Sequence, residues 1–134
     1  MLTKYKTKVS SGKFTPAAYY NFCQAVDMLP VAGEIGDNDT NCSVGGFEMS
    51  SSSYIAAICS VEQGSSSQVR NIYVSVLDKS STTPALKKLT GYTDAKAVPS
   101  TPHLVKTGSD SFIIIWEKSS LVYYCELDGK GNVK

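Results

Sequence analysis

The chain has a single histidine, a single tryptophan and no long apolar run. One imidazole excludes HExxH zinc sites and every other site that needs two histidines. No segment reaches the roughly 18 consecutive apolar residues that a membrane-spanning helix needs. Charge is scarce as well: 13 basic and 12 acidic residues give a net charge of +1, without the basic excess of a nucleic-acid-binding domain. We therefore expect no membrane span and no nucleic-acid partner.

The composition that remains is that of one globular domain. The 134 residues are 42% hydrophobic and 19% charged, and about a fifth are Ser or Thr, which is common in secreted β-proteins. Residues 1–20 include Lys4, Lys6 and Lys8 but no apolar segment of a signal peptide. The four cysteines fit two disulfides in any of three pairings, or buried free thiols: Cys23, Cys42, Cys59 and Cys125.

Strand patterns dominate the second half of the chain. The segments 54–61 and 69–77 are rich in β-branched and aromatic residues, and so are 111–116 and 121–127. We predict that each pair forms an antiparallel hairpin, with shorter strands over 44–49 and 103–106. Residues 17–28 lie between Thr15-Pro16 and Pro30, which favours a short helix, with an irregular strand as the alternative.

The chain repeats itself. Ser53-Tyr54-Ile55 precedes a strand that ends in Leu77-Asp78, and Ser111-Phe112-Ile113 precedes one that ends in Leu127-Asp128. The repeat covers residues 44–79 and 102–131. A second echo joins Leu2-Thr3-Lys4-Tyr5 to Leu89-Thr90-Gly91-Tyr92. Units of roughly 40–50 residues with about four strands are typical of β-propeller blades.

The second copy also resembles a known kind of repeat. Pro102-His103-Leu104-Val105, the apolar strand that ends in Trp116-Glu117, and Asp128-Gly129-Lys130-Gly131 are similar to propeller-type repeats of large bacterial surface proteins. The resemblance is best over residues 86–133. It implies an extracellular scaffold or binding module without a defined catalytic activity.

The length sets the expected architecture. The sequence predicts a mainly β domain over residues 1–134, made of about two to three propeller-like blades, with a small β-sandwich or barrel as the alternative. Closed propellers have four to eight blades, and a blade buries its faces only against neighbours. We therefore expect a fragment of a larger repeat protein, and self-association of the isolated chain.

Candidate site residues are few. Asp37, Asp39 and Asn41 alternate in a loop and offer oxygen ligands to a metal such as calcium, although a solvated turn explains them as well. Tyrosine rings stack on sugars as well as in sheets, and four are candidates for a ligand platform: Tyr19, Tyr20, Tyr123 and Tyr124. No catalytic residues and no cofactor are predicted, because no base accompanies a nucleophile in any recognisable motif.

These observations favour a non-catalytic extracellular or cell-surface β-module that binds glycan or protein. The alternative is an accessory part or fragment of a secreted enzyme whose active site lies outside this chain.

Overall fold

A computed structural model describes residues 2–5, 23–26, 43–61 and 68–134, and all regular structure in these ranges is β. Both predicted hairpins, 54–61 with 69–77 and 111–116 with 121–127, are confirmed. Strand β1 (Leu2–Tyr5) pairs antiparallel with β2 (Cys23–Val26). Cys23–Val26 is therefore a strand and not part of the helix predicted over 17–28, and the rest of that segment lies outside the described residues. Antiparallel pairing with β1 decides the conformation here over the local apolar spacing.

The next four strands form one sheet in chain order. They are β3 (Ser43–Met49), β4 (Ser53–Val61), β5 (Arg70–Asp78) and β6 (Ala85–Lys88). Each pairs antiparallel with its predecessor. The predicted strands over 54–61 and 69–77 are β4 and β5, and the sheet gains β6 as a fourth strand, which the hairpin pattern did not predict.

The last three strands form a second antiparallel sheet. They are β7 (His103–Gly108), β8 (Ser111–Lys118) and β9 (Leu121–Asp128). Ser119 and Ser120 join β8 to β9 with φ values of 53° and 62°. Positive φ at both central residues is the conformation of a two-residue type I′ turn, which matches the twist of the strands it joins.

The two sheets pack face to face around the main core. The four-stranded sheet contributes its aliphatic face, and the three-stranded sheet contributes a face with two aromatic rings. The aliphatic face consists of Ile55, Ala57, Cys59, Ile72, Val74 and Val76, and the opposing side chains are Leu104, Phe112, Ile114, Trp116 and Leu127. A second buried cluster lies on the other side of the four-stranded sheet: Ala56, Ile58, Tyr73 and Leu77, with Tyr54 and Leu86 against it.

Two glycines let the first strands of the sheets approach closely. A Cβ at Gly45 would overlap the Pro102 carbonyl, and one at Gly46 would lie 2.8 Å from the Leu104 Cβ. The ladder between β3 and β4 is also irregular between Val44 and Gly46. The sheets therefore meet where the chain has no side chains, and this fixes β7 against β3. The strands of the described residues do not close into a barrel.

Candidate functional site

The predicted site residues fall into two groups. Tyr19, Tyr20, Asp37, Asp39 and Asn41 lie outside the described residues. Tyr123 and Tyr124 lie on β9, at the edge of the three-stranded sheet.

Successive residues of a strand point to opposite faces, and the two tyrosines follow this rule. Tyr123 pairs with Trp116 across the ladder and stacks on its ring, with centroids 6.0 Å apart and planes at 14°. Tyr124 pairs with Ile115 on the other face and is 67% exposed. One flat ligand cannot stack on both rings, so these two tyrosines do not form a joint platform.

The exposed side of the three-stranded sheet is apolar at its centre. We call it the outer face; it consists of Val105, Ile113, Ile115, Val122 and Tyr124. Ile113 and Ile115 are half-buried, whereas Val122 is 71% exposed. Exposed His103, Glu117 and Glu126 stand around this centre. A contiguous apolar sheet surface with a polar border is typical of a protein-binding surface.

The sequence repeat shows which surface of the first sheet corresponds to the outer face. Alignment of the two Leu-Asp pairs places Val122 on Ile72 and Tyr124 on Val74. Alignment of the two Ser-aromatic pairs likewise places Ile113 on Ile55 and Ile115 on Ala57. The outer face thus matches the aliphatic face of the four-stranded sheet, which is covered by another sheet.

The opposite faces correspond in the same way. Phe112 aligns with Tyr54, Trp116 with Ile58 and Leu127 with Leu77. The face of Phe112, Trp116 and Leu127 lies on the aliphatic face of the first sheet. The two repeats therefore have the same orientation in the stack. The face of the first sheet that lies in the core is not equivalent, in the repeat alignment, to the face of the second sheet that packs on it.

The connection between the sheets carries a buried polar network. The Asn71 side chain, 1% exposed, accepts hydrogen bonds at its Oδ1 from the Thr90 hydroxyl (2.9 Å) and the Tyr92 N–H (2.7 Å). Thr90 Oγ1 accepts from the Ile72 N–H at 2.9 Å. The Leu89-Thr90-Gly91-Tyr92 segment noted as a sequence echo is therefore the segment that closes the edge of β5. Its partner Asn71 was missed, because Asn71 is separated from it by 19 residues and belongs to no motif.

Two aspartates with shifted pKa values stabilise turns. Asp110 accepts hydrogen bonds from the Ser51 N–H (2.8 Å) and hydroxyl (2.9 Å), and these bonds lower its pKa. Asp128 accepts from the Asn132 N–H (2.8 Å), the Asn132 side-chain amide (2.8 Å) and the Lys130 N–H (2.8 Å), and bonds to Asn132 are the main cause of its lowered pKa. Asp128 thus accepts within its own turn, whereas Asp110, between β7 and β8, accepts from Ser51 in the turn between β3 and β4 of the other sheet.

Cys59 of the four-stranded sheet and Cys125 of the three-stranded sheet are free thiols. Cys59 lies in the core, and its Sγ donates to the Pro99 carbonyl at 3.7 Å. Burial raises the pKa of Cys59, while the charge of Arg70 acts in the opposite direction. Burial also raises the pKa of Cys125. Both thiols pack as small apolar groups, which was one of the two alternatives left open by the sequence.

Nowhere in 43–61 or 68–134 do three or more His, Cys, Asp or Glu side chains gather in a way that suits a metal ion. Within the same part of the chain, no helix has the length and apolar character to cross a membrane.

The comparisons with known proteins gave no further guide. No family model, curated protein or solved structure matches this chain.

Proposed function

We propose that this chain is a non-catalytic β-module of a secreted or cell-surface protein, built from propeller-type repeats. Its outer face binds another protein, namely a β-sheet of the same repeat type. The observation that carries the proposal is the correspondence between the outer face and the aliphatic face of the first sheet.

The occupant follows from the contact already present. The aliphatic face takes a sheet that presents Phe112, Ile114 and Trp116. The outer face has the same register and the same alternation, with Val122 and Tyr124 in place of Ile72 and Val74. A partner with a similar aromatic and aliphatic face would bury this apolar surface, which is the main source of stability in stacked repeats.

A protein partner is favoured over a glycan. Sugar recognition by stacking needs exposed rings arranged on one surface, and Tyr123 and Tyr124 lie on opposite faces of β9. The outer face has one aromatic ring among four branched aliphatic side chains, a composition suited to packing against another sheet.

The test extends the chain by its own repeat. Residues 85–134 are appended directly after Lys134, so that the added Ala85 follows the first by 50 positions, the spacing of Leu77 and Leu127. We expect the added unit to fold, the denaturant midpoint to rise and binding of a hydrophobic dye to the outer face to fall. The matched control carries Val122→Ser and Tyr124→Ser in the original unit only, and should lose most of the gain.

Two results would contradict the proposal. One is an added unit that proteases remove while the original chain stays intact and keeps its midpoint. The other is specific binding of the unmodified chain on a glycan array that Tyr124→Ala abolishes, which would favour a glycan ligand.

A further inference from the structure

The edge of β9 differs from the corresponding edge of β5. On β5, the outward backbone groups are those of Ile72, Val74 and Val76: β6 pairs opposite Val74 and Val76, and Ile72 bonds to Leu89 and Thr90. The corresponding residues of β9 are Val122, Tyr124 and Glu126. In the described part of the chain no fourth strand pairs with β9.

The outward groups of β9 can be assigned individually. The Lys134 N–H donates to the Glu126 carbonyl at 3.0 Å, on the side away from β8. In an antiparallel strand, residues two apart direct their backbone groups to the same side. The N–H and C=O of both Val122 and Tyr124 therefore point outward along an open edge.

We propose that this edge pairs with the same edge of a second copy of this chain. The two β9 strands would run antiparallel about a two-fold axis and join the two three-stranded sheets into one of six strands. Open edges are templates for such pairing, and symmetric contacts between identical surfaces are the commonest way in which chains dimerise. The pairing concerns the backbone edge of β9 in this chain. A repeat appended after Lys134 would place its own Ala85–Lys88 strand on that edge, as β6 lies on β5, so the extended chain should not dimerise through β9.

One register satisfies all four free groups of each strand. If Val122 lies opposite Tyr124 of the second copy, each of these two pairs exchanges two N–H···O bonds. The two-fold axis then passes beside Tyr123, which lies opposite Tyr123 of the second copy. A shift of two residues in either direction would place one outward residue opposite Ser120, in the turn, or opposite Glu126, whose carbonyl is already bonded to Lys134.

The side chains suit this register. Val122 opposite Tyr124 is a β-branched–aromatic pair on the outer face, which stabilises antiparallel strands. Leu121 falls opposite Cys125, and no charged residue lies within 121–125. The exposed run Leu121-Val122-Tyr123-Tyr124 would be covered on its open side, and the net charge of +1 opposes association only weakly.

Proline at position 122 tests the pairing without touching the ladder between β8 and β9. The Val122 N–H points away from β8, and proline is tolerated on an edge strand at such a position. Light scattering after size exclusion should give the unmodified chain twice the mass of one 14.4 kDa copy at high micromolar concentration. Val122→Pro should be monomeric, whereas Val122→Thr keeps the N–H and the β-branch and should remain dimeric.

A cysteine pair provides a second measurement that does not depend on how proline is tolerated. Tyr123→Cys places the introduced thiols of the two chains opposite each other, so mild oxidation should give a disulfide-linked dimer. Tyr124→Cys, opposite Val122, should not crosslink, and the unmodified chain controls for the native thiols. An unmodified chain that stays monomeric throughout, or a Val122→Pro dimer of undiminished affinity, would overturn the proposal. A dimer that Val105→Asp abolishes but Val122→Pro leaves intact would be one formed through the outer face. That result would also overturn the proposal.

Discussion

The Trp116 indole N–H donates a hydrogen bond of 2.9 Å to the Tyr92 hydroxyl. Tyr92 belongs to the segment between the sheets, and its backbone N–H is bound to Asn71 of the first sheet. Trp116 belongs to the second sheet and packs in the core between them. Tyr92 thus joins the two sheets through polar contacts at the border of an apolar interface.

Tyr92→Phe should show how much the Tyr92 hydroxyl contributes to the free energy of unfolding. The phenylalanine ring keeps the contact with Lys118, whose Nζ lies 4.6 Å from the Tyr92 ring centroid. The largely buried indole N–H loses its partner, and a donor left unsatisfied costs about 1–3 kcal/mol. Urea denaturation should show this loss in the free energy of unfolding. Tyr124→Phe, which removes an exposed hydroxyl, should leave the midpoint within error; equal effects of the two changes would contradict the assigned role.

Trp116→Ala should be the most damaging truncation in the three-stranded sheet. The side chain is 7% exposed, packs in the main core and stacks on Tyr123. Removal of a buried tryptophan typically costs about 3–5 kcal/mol. Leu121→Ala is the control, because Leu121 is exposed near the start of β9. A shift of the guanidinium midpoint for Leu121→Ala as large as that for Trp116→Ala would show that Trp116 is not central to this core.

The sequence predicted the parts of this fold that depend on local pattern. Enrichment in β-branched and aromatic residues located β4, β5, β8 and β9, and the repeat predicted that the two hairpins are equivalent. Short strands were harder to predict from the sequence, because a few residues carry little pattern. The four residues of β6 carry two lysines and become a strand because β5 offers an edge, not because of their own pattern.

The candidate surfaces were harder to predict for a related reason. The sequence predicts Tyr123 and Tyr124 as candidates for a ligand platform, but the face that each ring occupies follows from the register with β8. Exposure of the outer face depends on which neighbours are present, and Ile113 reads in the sequence much like buried Ile114. Ile114 is buried and Ile113 is not because the first sheet covers only one face of β8.

Gly46→Ala should destabilise the contact between the first strands of the sheets. Its new Cβ would lie 2.8 Å from the Leu104 Cβ and 3.0 Å from the Leu104 backbone nitrogen. Because Leu104 is held in the core, the strands must move apart, and such overpacking typically costs about 1–3 kcal/mol. Thermal unfolding should show a lowered midpoint. Gly91→Ala is a matched control, since a Cβ there would meet nothing within 4 Å; the idea fails if both alanines behave alike.

Acid should weaken the fold through Asp110 and Asp128. Hydrogen bonds hold the pKa of each carboxylate below its ordinary value in the folded state. The unfolded chain therefore binds these protons at higher pH than the folded chain does. The stabilisation is complete above the ordinary aspartate pKa of about 3.9 and is lost as the pH falls through the lower folded-state pKa. Asp110 is exposed and Asp128 is partly exposed, so solvent screening keeps each contribution small.

The measurement is the urea midpoint as a function of pH, from neutral to below the range where aspartates titrate. Asp128→Asn removes the titrating group while its side-chain carbonyl still accepts a hydrogen bond, so the variant should lose less stability than the unmodified chain over the acid range. Glu117→Gln makes the same change of charge at an exposed position of β8 and should keep the steeper acid dependence. If Asp128→Asn follows the unmodified chain at every pH, the bonds from Asn132 and Lys130 do not contribute to stability through the charge of Asp128.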